Sequence, residues 1–115
     1  MKWILPLCLI AGPAIAETCP LGADHSDRLG EIVQELQNSR GTGEAQVLSQ
    51  ELWMLWLDAP DDKAQALLDR GMAQRTEFDL RGARDTLDQL VAYCPQYAEG
   101  YNQRAFVNFL RQDYA

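Results

Sequence analysis

Two segments about 34 residues apart in the second half of this chain share one pattern, and that repeat constrains the fold more than any single residue. Ala64-Gln65-Ala66-Leu67-Leu68-Asp69-Arg70-Gly71 opens the first, and Ala98-Glu99-Gly100-Tyr101-Asn102-Gln103-Arg104-Ala105 opens the second, with a large apolar residue and then a small one in register. A fixed period of this size marks units that cannot bury their apolar faces alone and must stack on neighbours. Between the two segments Ala83, Leu87 and Leu90 recur at helical spacing, and Pro95 stands where a helix must stop. No stretch shows the sustained period-two alternation of a half-buried strand, so the chain reads as all-α.

Apolar periodicity marks five helices. The first runs from about Ser26 to Asn38, with Leu29, Ile32, Val33 and Leu36 on one face and Asp24 or Ser26 as its N-cap. Arg40-Gly41-Thr42-Gly43 ends it, and Thr42 is the expected cap of a second helix that runs to about Leu57 and carries Leu48, Leu52 and Leu55. Pro60 fits the first turn of a third helix, where its missing N–H costs nothing and Asp61 and Asp62 meet the positive end of the dipole; this helix continues to about Thr76. Asp79 caps a fourth helix from Leu80 to Tyr93, and a fifth spans about Ala98 to Arg111 with Tyr101, Ala105 and Phe109 on its apolar side.

The order of small residue, bulky residue and proline resembles the tetratricopeptide repeat family. In the better repeat, about residues 60–97, Leu67 takes the family's aromatic slot, Gly71 the glycine slot, Ala83 the alanine slot, Leu87 the phenylalanine slot and Pro95 the proline. Gln74 departs there from the usual tyrosine and Arg70 from leucine. A half repeat at about 98–115 puts Tyr101 in the aromatic slot and Ala105 in the small slot, with Arg104 and Asn108 as departures. Laying Pro60 on Pro95, a spacing of 35, places Leu48, Leu52 and Leu55 on Ala83, Leu87 and Leu90 and outlines a divergent repeat at about 26–59. The resemblance implies antiparallel helix-turn-helix units stacked as a short solenoid, and a scaffold for a protein or extended peptide instead of a catalyst. It maps the binding groove to Gln65, Leu68, Asp69, Met72 and Arg75, then Glu99, Asn102, Gln103, Phe106 and Phe109. Asp69 would repel a peptide's terminal carboxylate, which argues against the carboxylate-clamping branch of the family.

At the start of the chain, Lys2 precedes an apolar run from Trp3 to Ala11, and Ala14-Ile15-Ala16 has the small, any, small pattern that signal peptidase accepts. Residues 1–16 therefore read as a secretory signal peptide, too short for a membrane span. Pro6, Gly12 and Pro13 argue against the alternative of a buried N-terminal helix. The mature chain from Glu17 is expected to be a single periplasmic or secreted domain. Cleavage removes Cys8 and leaves Cys19 and Cys94 where disulfides persist. In an up-and-down stack the start of the first helix and the end of the fourth share an edge, and the roughly five residues from Cys19 to the first helix reach at most about 17 Å. A structural disulfide is expected, two separate thiols being the alternative; a C-x-x-C redox pair is absent.

The chain's 10 Lys and Arg against 17 Asp and Glu become 9 against 17 once Lys2 leaves, a formal charge of −8. That balance argues against nucleic-acid binding through phosphates and favours neutral or basic partners. His25 is the sole histidine, so a nucleophile–histidine–acid set would have to be built around it. Cys19, His25 and Asp24 or Asp27 are metal-ligand types, but not at a recurring zinc spacing, and pairing would occupy Cys19. Gly41-Thr42-Gly43 lacks the lysine of a P-loop. Neither metal, cofactor nor enzymatic activity is expected.

Trp53 and Trp56 lie three residues apart on a helix that is apolar nearly all round from Leu52 to Leu57. Core packing of an inner helix is the plainer expectation. The alternative is a partner-binding aromatic patch, as on a small secreted helical protein with a structural or inhibitory role. Asp113-Tyr114-Ala115 corresponds to the start of a repeat's second helix. Phe106, Phe109 and Leu110 are therefore expected on an uncovered face, to be met by more of the array, by a partner or by a second copy.

Overall fold

The computed structural model describes Gly12 and residues 17–112. The signal-peptide segment, Gly12 apart, and Asp113-Tyr114-Ala115 lie outside the described residues. Among those described there are five helices and no strand: α1 (Ser26–Asn38), α2 (Thr42–Trp56), α3 (Asp62–Thr76), α4 (Leu80–Tyr93) and α5 (Ala98–Leu110). None of them is long and apolar enough to cross a membrane.

Helix starts follow side-chain acceptors more closely than proline or threonine. Asp79 caps α4 as the sequence indicates, its carboxylate accepting the Gly82 amide at 3.0 Å. Asp61 caps α3 by accepting the Ala64 amide at 2.8 Å, so Pro60 lies one residue ahead of the cap and outside the first turn. Thr42 is already helical, and the extended Gly41 holds the N-cap position of α2 without a side-chain bond. His25 occupies that position at α1, while Asp24 Oδ1 accepts the Ser26 amide at 2.9 Å.

The helices stack as a short tetratricopeptide-like solenoid. The α3–α4 pair packs most extensively, α5 lies against α4 and touches α3, and α1–α2 forms a lighter hairpin. One apolar core joins Ala64 and Leu68 of α3, Ala83, Leu87 and Leu90 of α4, then Cys94 and Val107. The hairpin buries Ile32 and Leu48, and neither joins that cluster. Its Val33, on the expected apolar face, is 47% exposed.

Gly71 explains the tight α3–α4 pair: a Cβ at this position would stand 2.7 Å from Leu87 Cδ2, closer than carbon atoms approach. The departures from the repeat pattern acquire physical roles. Gln74 accepts the Thr86 hydroxyl at 2.6 Å, which satisfies a buried threonine where a ring would have packed. Arg104 lies 5.4 Å over the Tyr101 ring and 3.2 Å from Asp88. Between α3 and α4 the exposed Phe78 adopts φ 66, in the left-handed region that a side chain with a Cβ disfavours.

Candidate functional site

A strap of residues 17–25 runs from the end of α4 to the start of α1. The expected Cys19–Cys94 disulfide anchors it, with Cα atoms 5.2 Å apart across a sequence separation of 75. Lys63 Nζ donates to Glu17 Oε2 at 2.8 Å, and His25 Nε2 lies 2.8 Å from Asp58 Oδ2. Across the same junction the Tyr97 hydroxyl donates to the Trp56 carbonyl at 2.6 Å, tying the end of α2 to the α4–α5 corner. Between strap, α2 terminus and corner lies a cleft of about 910 Å³. Leu29, Leu55, Trp56, Pro60, Tyr93 and Tyr97 form apolar and aromatic walls, and Glu17, Asp24, Asp58 and Glu99 contribute carboxylates.

The electrostatics of these walls are dominated by acid groups. Burial, then the fields of Glu99, Asp58 and Asp69, push the Tyr97 phenol well above its ordinary range. The Tyr93 hydroxyl donates to Asp61 Oδ2 at 2.6 Å; this bond pushes the Tyr93 phenol up to about 12 and holds the Asp61 carboxyl below the usual range. Hydrogen bonds from Ser26 likewise lower Asp24.

Of the sequence-predicted groove residues, Glu99 and Asn102 line the cleft. Glu99 is buried, and it accepts from Gln103 Nε2 at 2.8 Å and from Asn102 Nδ2 at 3.2 Å. Arg75 Nη1 donates to Gln103 Oε1 at 2.8 Å and stacks 4.9 Å over the Phe106 ring, so α3 and α5 are joined by one polar network. Gln65 donates to Asp69 at 2.9 Å and accepts the Ala59 amide at 3.0 Å; neither residue lines the cleft. Met72 packs half-buried against the core, while Phe106 and Phe109 are exposed. Leu68 requires correction as a groove residue: α4 and α5 enclose α3 there, and Leu68 has no exposed surface.

Core packing of the tryptophans is also overturned. Trp53 is 47% and Trp56 41% exposed, their rings edge-to-face at 5.4 Å. Leu48 of α2 is buried, whereas Val47 and Met54 of the same helix remain uncovered. Trp56 also lines the cleft, so the aromatic pair adjoins it.

The strap itself, with Asp58 and Tyr97, was not among the groove positions. The signal was nonetheless in the chain: once Cys19 pairs with Cys94, the residues leading to Ser26 must bridge α4 and α1 and wall off the space beneath them. Among the described residues no group of three or more His, Cys, Asp or Glu is arranged to hold a metal ion.

A TPR repeat-containing protein of Rhizobium etli is 27% identical to this chain over 100 residues, which cover 87% of this chain and 49% of the relative. The chain thus spans about half the length of the curated relative it matches. No family model matches the chain. No solved structure shows significant similarity to it. The distant relative and the five-helix stack together support a tetratricopeptide-like helical repeat fold.

Proposed function

We propose that this protein is a non-catalytic scaffold of the tetratricopeptide type, periplasmic or secreted, that binds another protein or an extended peptide. The observation that carries this reading is the cleft of about 910 Å³, bordered by the strap, the start of α1, the end of α2, the end of α4 and the start of α5. Its walls combine aromatic and aliphatic side chains with a few polar groups, the composition of binding sites generally. The Cys19–Cys94 bridge fits an oxidising compartment, in keeping with the leader read in residues 1–16.

A second reading is favoured by the exposure of Trp53: partners engage the outer face of α2, through Trp53, Met54 and Val47. Crosslinking and co-purification from the periplasm separate the two. Loss of a crosslinked partner with Leu29→Ala and Asn102→Ala, but not with Trp53→Ala and Met54→Ala, supports the cleft. The reverse result transfers the function to α2, and an intact Met1 on envelope protein by mass spectrometry contradicts export. Homotypic contact through Phe106 and Phe109 of α5 is the corresponding proposal for self-association. Sedimentation should show concentration dependence that weakens in Phe109→Glu, because a buried contact does not accept an unpaired charge.

A further inference from the structure

We infer that the cleft takes an extended cationic segment of another protein, one in which Lys or Arg alternates with apolar residues; this rests on reading the cleft as the peptide-binding site. Four carboxylates line it, from Glu17, Asp24, Asp58 and Glu99, and among the described residues neither Lys nor Arg does. Lys63 matches Glu17 from outside the lining, and His25 faces Asp58. Asp24 and Glu99 are different, because the bonds they accept come from uncharged donors, the Ser26 amide in one case and the Asn102 and Gln103 side chains in the other.

Glu99 states the preference most sharply. It is only 6% exposed, and its Oε2 has one long contact, 3.3 Å from Asn102 Nδ2, although each carboxylate oxygen has room for two donors. A carboxylate withdrawn from water with neutral donors alone retains acceptor capacity and an unbalanced charge, and both are met by an ammonium or guanidinium. Burial is the largest cause of the upward push on the Tyr97 phenol, and the fields of Glu99 and Asp58 in the cleft and of Asp69 outside it add to it. Beside these acids stand Trp56, Tyr97 and Leu55, which suit the methylene stems of Lys and Arg and the apolar residues between them. An acidic segment would meet like charge on entering, so the cleft also selects against one.

The test is fluorescence anisotropy with the oxidised mature chain and three short labelled peptides, in which the same apolar residues alternate with Lys, Gln or Glu. The Lys peptide should bind about tenfold or more tightly than the Gln peptide, with the Glu peptide weakest, and the advantage should shrink as salt screens the cleft. Asp24→Asn with Asp58→Asn should weaken the Lys peptide about threefold to tenfold more than it weakens the Gln peptide, since each exposed pair contributes modestly and Asn preserves the acceptor at Ser26. Glu77→Gln with Asp85→Asn removes the same charge outside the cleft and should change neither peptide by more than about twofold. Equal binding of all three peptides overturns the cation preference while leaving a peptide site. Equal weakening by the two variant pairs overturns it in favour of net charge alone. Failure of every peptide to bind overturns the peptide-site reading together with this inference.

Discussion

The α3–α5 unit and the α1–α2 hairpin carry the same pattern at an offset of 35, yet they are held together differently. Leu87 and Leu90 of α4 are fully buried, whereas Leu52 and Leu55, their counterparts in α2, remain partly accessible. The positions of closest approach explain much of this. Gly71 and Ala83 bring α3 and α4 together, and the residues 35 earlier are Leu36 and Leu48. Branched side chains at both small slots oppose so close an approach of α1 and α2, and among the described helices α2 has no neighbour equivalent to the α5 that covers α4. To the small core of Ile32 and Leu48 the hairpin adds charge. Arg28 makes two bonds to Glu51, at 2.6 and 2.7 Å, and reaches Glu31 and Glu35 at 3.1 and 2.9 Å. A repeat pattern therefore specifies helices and their order, while small residues at two slots decide whether those helices close into a core.

The strongest way to break this contrast is to cut the bridge that ties the strap to the core. Reduction, or Cys19→Ser with Cys94→Ser, should remove about 4 kcal/mol by the chain-entropy estimate for a loop of this length. For a domain of this size that lowers Tm by about 15 °C or more in calorimetry. Hydrogen exchange should then accelerate more in α1 and α2 than in α3 and α4. Uniform acceleration would mean that the two regions form one cooperative unit.

Leu87→Ala should cost about 3 kcal/mol in urea unfolding, against under about 1.5 kcal/mol for Leu52→Ala, because the former leaves a cavity and the latter surrenders partly wetted surface. Equal losses would remove the distinction.

Acid offers a gentler probe. Hydrogen bonds from Arg28 hold the Glu51 carboxyl below the usual range, so the folded chain binds that proton less readily than the unfolded chain does. The stabilisation is present above the ordinary carboxylate range and is lost as pH falls through the depressed folded-state value. Circular dichroism and exchange between about pH 5 and 2 should show the hairpin loosening before the α3–α5 unit, whose own depressed carboxyl, Asp61, is backed by the larger apolar core. Arg28→Met should flatten that difference.

The smallest expected effect lies inside the better-packed unit. Phe78→Gly should stabilise the protein by about 0.5 kcal/mol, since a left-handed backbone favours glycine and the exposed ring surrenders little buried surface. A loss of stability would show that the Phe78 ring contributes to the α3–α4 turn.

Much of the architecture was legible without coordinates. The five helices, the Asp79 cap and the glycine and alanine slots of the better repeat follow from periodicity and stop signals, and the Cys19–Cys94 pairing is expected from the edge that the start of the first helix shares with the end of the fourth. These are properties of the chain over a few turns or one repeat, so local physics determines them. Which face another helix covers is not such a property. Leu68 and the two tryptophans all read as apolar residues on helices, but α3 is enclosed by two neighbours and α2 chiefly by one, so Leu68 is buried and Trp53 and Trp56 are exposed. The cleft likewise exists only in three dimensions, because its acids come from the strap, the end of α2 and the start of α5, and the disulfide and Tyr97 bring those three together. Sequence by itself determined the helices and their repeat, and made the bridge the expected pairing. Tertiary packing decided which side chains lost their water, and with that which aromatic and acidic groups stay at the surface.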